Sequence, residues 1–201
     1  MSATLISIIG PVGCGKTTLA ANLARVLGGE CIREAFASNP FLAGACRGQA
    51  EARLPAQLYF LLSRAGQLAA SEWPAGGLFV SDYGFCQDRL FAKTKLSPDE
   101  FALYEPIHER LAANVHPPAL LILLDAPEAE LLRRIAARGR DFEQAITGEF
   151  LRDQRTAYRD LAAAATCPVM RVENHVTDLR EPAALAALAE EVRRMLRLRL
   201  S

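Results

Sequence analysis

This 201-residue sequence has no excess of either charge: 23 Lys and Arg face 23 Asp and Glu, so the formal net charge is zero. The basic residues are interspersed with acids, which argues against a broad electropositive face for nucleic acid. Cysteine is sparse and irregular. Cys14, Cys31, Cys46, Cys86 and Cys167 are odd in number and contain no C-x-x-C pair, which argues against a disulfide framework and a zinc site and for reduced thiols in a cytoplasmic protein. Long apolar runs are absent too. The longest, Ala119 to Leu124, is far too short to cross a bilayer, and the first residues lead straight into a strand-like run with no signal peptide. A soluble, cytoplasmic protein with no membrane partner is expected. With no repeat, low-complexity tract or linker, residues 1–201 suit one α/β domain.

What is present begins with "GPVGCGKTTLA", Gly10 to Ala20. Gly10, Gly15, Lys16 and Thr17 fill the G-x-x-x-x-G-K-T spacing of a phosphate-binding loop. A β-branched apolar run, Leu5 to Ile9, precedes it, and Leu19, Ala20, Leu23, Ala24 and Leu27 follow at helical spacing. Strand, loop and helix are what the chemistry needs. Glycine lets successive N–H groups approach phosphate oxygens at the positive end of a helix. Lys16 then reaches the β- and γ-phosphates and Thr17 offers a hydroxyl to Mg²⁺. Gly10, Gly13, Gly15, Lys16, Thr17 and Thr18 are the candidate nucleotide-binding residues.

Four further runs read as strands: "GECIRE", "GLFVSD", "ALLILLDAP" and "PVMRVE". Alternation with helical patterns implies right-handed crossovers and a parallel sheet covered on both faces, with ligands beyond the carboxyl ends of the strands. Glu34, Asp82 and Asp125 stand at those ends. "SPDE" at Ser97 to Glu100 predicts a capping box, "PEAELLRRIAARG" a helix closed by Gly139, and the segment from Glu181 a packed last helix.

Three stretches carry candidate chemistry. Glu34, near the phosphate loop, is placed to take a proton from an attacking hydroxyl, or is a plain strand-end acid. Gln57 and Arg64 in "AQLYFLLSRAGQL" lie two helical turns apart on one face, where an amide that donates and accepts suits a base edge; ordinary polar helix edges give the same pattern. Arg134, Arg138 and Arg140, followed by Glu143, form a cluster able to clamp phosphates, the plain alternative being a favourable helix C-terminus.

"GPVGCGKTTLA", "REAFASNPFL", "AQLYFLLSR", "DYGFCQDRLFA", "RRIAARGRDFE" and "EFLRDQRTAY" occur in the order and at the approximate spacing of the deoxynucleoside kinase family, which the chain resembles from Ile6 to Tyr158. The resemblance implies a P-loop kinase fold with a five-stranded parallel sheet in the order 2-3-1-4-5, flanked by helices and carrying an Arg-rich lid at about 134–143. It implies transfer of the γ-phosphoryl group of ATP, with Mg²⁺, to the 5′-hydroxyl of a deoxyribonucleoside, a purine one by leaning, in an enzyme that is commonly a homodimer. By resemblance, Glu34 is the general base, Gln57 reads the base edge, and Arg64 joins the base pocket. Phe91 stacks on the base, Arg134, Arg138 and Arg140 form the lid, and Glu143 holds the sugar 3′-hydroxyl.

One departure stands out. The family usually carries an acid followed directly by Arg after its third strand, the acid serving the Mg²⁺ shell and the Arg the acceptor hydroxyl and phosphates. Here the residues are Ser81, Asp82 and Tyr83. Asp82 supplies the acid; the next Arg is Arg89, beside Asp88, which has the family's aspartate role in base recognition as its candidate function. A nucleoside-monophosphate kinase would need basic residues around the acceptor. A GTPase switch would need an N-K-x-D loop that the sequence lacks. A regulator that binds nucleotide without catalysis would release no ADP on adding nucleoside.

Overall fold

The computed structural model describes residues 3–69 and 73–200. Its strands are β1 (Thr4–Ile9), β2 (Glu30–Ile32), β3 (Leu78–Ser81), β4 (Leu120–Asp125) and β5 (Val169–Glu173). Around them pack α1 (Lys16–Leu27), α2 (Leu42–Cys46), α3 (Ala50–Gln67), α4 (Gln87–Lys95) and α5 (Pro98–Ala112), then α6 (Glu128–Arg138), α7 (Gly148–Ala163) and α8 (Pro182–Leu200).

All strand pairs are parallel and the order is β2-β3-β1-β4-β5, as expected. β1 is central, with Ile6 opposite Val80 of β3 and Ile8 opposite Ile122 of β4. Side chains alternate across a strand, so β1 and β4 feed two cores. Ile6, Ile8, Leu120, Ile122 and Leu124 meet Leu19 and Leu23 of α1 and Leu185 and Val192 of α8. Ile9, Leu121 and Leu123 meet Tyr158 of α7 on the other face, while Leu5 joins Phe79, Tyr83 and Leu68. Every residue of β4 is buried, which explains its unbroken apolar run. Each such Leu or Ile contributes about 1.5–3 kcal/mol relative to exposure.

Local signals set the helix ends. Ser97 Oγ accepts from Glu100 N at 3.3 Å while Ser97 N donates to Glu100 Oε2 at 2.8 Å, completing the capping box of α5. α6 stops at Gly139, whose φ of 63° is left-handed. Asn39 and Pro40 lie in a short connection before α2; Asn39 Nδ2 donates to Ala56 O at 3.1 Å and pins this segment to α3.

Because the strands are parallel, the loops after β1, β2 and β3 open on one edge of the sheet, beside the segment between α6 and α7. Gly10 begins the first of them with φ 148°, and a Cβ there would stand 2.0 Å from the carbonyl oxygen of Leu124. Gly28, at φ 73°, has open space around its would-be Cβ. Gly10→Ala is therefore expected to lower unfolding free energy by at least about 2 kcal/mol, and Gly28→Ala by only about 1, as backbone strain alone predicts. Urea unfolding of the two variants checks this; equal losses would show that β4 yields to the extra methyl group.

Candidate active site

The loop after β1 enters α1 through Gly13 (φ 83°) and Gly15 (φ 96°), both left-handed, so Lys16 and Thr17 open the helix with their N–H groups unpartnered by the preceding turn. Lys16 Nζ spans the loop, donating to Gly10 O at 2.8 Å and Pro11 O at 2.9 Å. Thr17 Oγ1 donates to Asp82 Oδ2 at 2.5 Å, and the other oxygen of Asp82 accepts from Glu34 N at 2.7 Å. One carboxylate thus joins the loops after β1, β2 and β3. Among the described residues no group of three His, Cys, Asp or Glu side chains could hold a metal ion. The hydroxyl of Thr17 beside the carboxylate of Asp82 instead fits Mg²⁺, which keeps several waters and takes phosphate oxygens as its other ligands.

A cleft of about 680 Å³ runs from this loop between α3, α4 and α7. Gly13, Gly15, Lys16, Thr17, Thr18, Glu34, Gln57, Arg64, Asp82, Phe91, Arg138, Arg140 and Glu143, all expected from sequence, line it. Gln57 and Arg64 do share the cleft-facing side of α3. Phe91 presents its ring beside Tyr158, edge to face at 6.2 Å.

Arg64 is the most constrained of these groups, only 4 % exposed. Its Nε donates to Glu34 Oε1 at 2.9 Å, its Nη2 bonds the same oxygen, and its Nη1 bonds Asp88 Oδ1. The guanidinium also lies 5.0 Å from the ring centre of Phe60 and 5.6 Å from that of Tyr83. Burial opposes the Arg64 charge, but Asp88 and Glu34 outweigh it and raise its pKa. Burial pushes the Asp88 carboxyl up to about 6, against the pull of Arg64. Asp88 lies behind Arg64 rather than on the cleft wall, and its Oδ2 is buried without a hydrogen-bonding partner among the described residues.

At the other end of the cleft, Arg138 donates to both oxygens of Glu143 at 2.5–3.0 Å and Arg140 to Oε1 at 3.4 Å. Arg140 also stands over the ring of Phe36 at 4.4 Å. Glu143 is buried, whereas the two arginine side chains are about one-third exposed.

The third clustered arginine lies elsewhere. Arg134 donates to Asn174 O at 2.8 Å and Cys14 O at 3.4 Å and pairs with Glu130, so it braces the back of the phosphate loop and does not line the cleft. Arg89 is turned away as well, paired with Glu105 on an exposed surface; the residue after Asp82 is not replaced from there. Asp125 is engaged by Arg155 and Arg159 of α7. Sequence reasoning missed Gln154, whose Oε1 accepts from Val12 N at 2.9 Å, and Asn174, whose Nδ2 donates to Cys14 O at 2.7 Å. A lone Gln inside an amphipathic helix and a lone Asn after a strand carry no pattern that marks them.

A family model described as deoxynucleoside kinase matches residues 6–197. The chain is 33 % identical over 153 residues to a deoxyguanosine kinase of Bacillus subtilis, covering 75 % of this chain and 74 % of the relative. It is 30 % identical over 179 residues to a deoxyadenosine kinase of Dictyostelium discoideum, covering 86 % and 73 %. In fold it is similar to the structure of deoxyadenosine kinase from M. mycoides with bound dCTP, with a TM-score of 0.79, 20 % identity, and coverage of 95 % of this chain and 100 % of the other.

The arginines paired with Glu143 generate a prediction. An anion that recruits Arg138 and Arg140 must compete with a buried carboxylate for charge-assisted bonds. Glu143→Gln removes the competitor, so affinity for a non-hydrolysable ATP analogue is expected to rise roughly 3- to 10-fold, the scale of one such bond. Titration calorimetry without nucleoside measures it; unchanged or weaker affinity would mean that Glu143 holds the arginines ready.

Proposed function

The chain belongs to the deoxynucleoside kinase family, and from that premise we propose how its residues divide the transfer of the γ-phosphoryl group of ATP to the 5′-hydroxyl of a deoxyribonucleoside. Glu34 Oε2 accepts the hydroxyl proton as the 5′-oxygen bonds to the γ-phosphorus. The bond from that phosphorus to the β,γ-bridging oxygen breaks, its electron pair leaving on ADP. Backbone N–H groups from Gly13 to Thr18 and the Lys16 ammonium hold the phosphates, and Arg138 and Arg140 neutralise charge on the transferring group. Thr17 and Asp82 would hold Mg²⁺, which supplies charge neutralisation between the β- and γ-phosphates. Residues 134–143 act as the lid of a single domain, with Arg134 as its anchor. Gln57 and Arg64 read the base edge, Phe91 packs against the base, and Glu143 takes the sugar 3′-hydroxyl.

One observation carries this reading: the two-oxygen bridge of Asp82 between Thr17 Oγ1 and Glu34 N, which sets a proton acceptor next to the phosphate loop in a single cleft. A nucleoside acceptor rather than a nucleoside monophosphate is supported by the names of the relatives, a deoxyguanosine kinase and a deoxyadenosine kinase. A purine deoxynucleoside is the proposed acceptor, supported by the names of the relatives and by the mixed donors and acceptors of Gln57 and Arg64. The five cysteines are free, which suits a reducing cytoplasm. A homodimer is proposed through α3 and α5, which pack on each other and leave Leu62, Leu103 and Ile107 exposed.

Two tests follow. Glu34→Gln keeps size but cannot take up a proton, so turnover is expected to fall by roughly 10² to 10⁴, nearer the lower end because deprotonation is late in a loose transition state. Nucleoside affinity without ATP should survive. ADP release with each of four deoxynucleosides checks both turnover and base preference, and wild-type rates in the variant would remove Glu34 from the chemistry. For the dimer, sedimentation velocity of wild type and Leu103→Glu is expected to give a dimer and a monomer; a monomeric wild type would overturn that assembly.

A further inference from the structure

Arg64 has two carboxylate partners on opposite sides, and only one of them lines the cleft. Both of its bonds to Glu34 fall on Oε1, leaving Oε2 uncommitted by it. Its remaining nitrogen is fixed by Asp88, at the start of α4 and 1 % exposed. Around this trio among the described residues stand the phenols of Tyr83 after β3, Tyr104 of α5 and Tyr158 of α7 and the thiol of Cys86, all pushed up by burial and so neutral. Asp82 is engaged by Thr17 and the backbone of Glu34. The orientation of Glu34 therefore rests on one guanidinium, and the orientation of that guanidinium rests on Asp88.

We propose that Arg64 is a positioning residue for the proton acceptor as well as a wall of the base pocket, and that Asp88 acts on the chemical step through it. Nε and Nη2 lock Oε1 of Glu34 and leave Oε2 for the 5′-hydroxyl; Nη1 on Asp88 keeps the planar fork from rotating off. A base lying against Arg64 presses on the same fork, so base fit is felt at Glu34. Selectivity among nucleosides then appears in turnover as well as in affinity. A lysine cannot do this, because an ammonium is a point charge without the fork that spans two carboxylates.

This inference rests on the proposed role of Glu34, and its test separates the two. In Asp88→Asn, nearly the same size, kcat at saturating nucleoside and Mg-ATP is expected to fall roughly 10-fold or more while the KM for ATP holds, the pattern of an interaction expressed in the transition state. Arg64→Lys should lose kcat similarly, and Arg64→Ala should regain part of it on adding millimolar guanidinium ion. Thermal melting and ATP-analogue binding identify any variant that has not folded; if Arg64→Ala is the one, the split between kcat and nucleoside KM in Asp88→Asn decides, and if Asp88→Asn is the one, guanidinium rescue of Arg64→Ala decides. In the double variant Glu34→Gln with Asp88→Asn, the second change should cost little beyond the first. A raised nucleoside KM with unchanged kcat in Asp88→Asn, no guanidinium rescue, or additive losses in the double variant would overturn the coupling and leave Asp88 a reader of the base. Wild-type turnover in Glu34→Gln alone would instead overturn the role of Glu34.

Discussion

The Asp82 carboxylate holds the site together. It is 6 % exposed, its Oδ2 takes the Thr17 hydroxyl at the start of α1, and its Oδ1 takes the backbone N–H of Glu34 beyond β2. Its own N–H donates to Ile32 O at 3.1 Å, so backbone and side chain both fasten the end of β3 to the end of β2. Hydrogen bonds to a charged acceptor are worth about 1.5–3 kcal/mol each, enough for two of them to hold a loop end against its conformational entropy. Through this bridge the backbone at Glu34 is tied directly to Thr17, at the end of the phosphate loop.

Around that bridge the charged groups come in unequal sets. One guanidinium serves Glu34 and Asp88, one carboxylate serves Arg138 and Arg140, and another, Asp125, serves Arg155 and Arg159. A matched buried pair is inert, because breaking it strands a charge. An odd set already has a member that is imperfectly satisfied, so a ligand of the right sign can join at lower cost. Arg138 and Arg140, two cations on the one carboxylate of Glu143, give their end of the cleft a cationic excess that suits phosphates. The chain as a whole carries no net charge, so this local excess is produced by folding.

What was legible in the sequence is what depends on neighbours in sequence. The phosphate loop, the capping box at Ser97, the stop at Gly139 and the burial of β4 are local patterns, and the parallel direction of the strands follows from their alternation with helices, whereas their order was implied by the family resemblance. The pairing of Arg64 with Glu34 was not legible, because the residues are 30 positions apart and meet only when the segment after β2 comes beside the C-terminal end of α3, where Gln67 Nε2 also donates to Arg33 O. Spacing put Gln57 and Arg64 on one face but could not say what else that face would touch. Adjacency pointed to Arg89 as the arginine nearest Asp88, yet a helix turns successive residues by about 100°, so the neighbour of a buried acid faces outward. Arg134 is one turn from Arg138, but at that level of α6 its guanidinium meets Cys14 O of the phosphate loop and Asn174 O, contacts that spacing alone could not show.

The same geometry accounts for Tyr83 standing where an arginine was sought. Side chains alternate as the chain leaves β3: Asp82 faces the cleft and Tyr83 turns into the core with Leu5, Leu68 and Phe79. Its ring is fully buried and its hydroxyl donates to Gln67 Oε1 at 2.8 Å. A guanidinium on that core-facing side would lie among apolar groups at a cost of several kcal/mol unless it were paired. A phenol fills the volume, satisfies its one donor and stays neutral, and its ring face supports the cation that arrives from α3. The positive charge beside Glu34 is thereby supplied by α3, the helix that also carries Gln57, so under the proposed roles the proton acceptor is tied to the helix that would read the base.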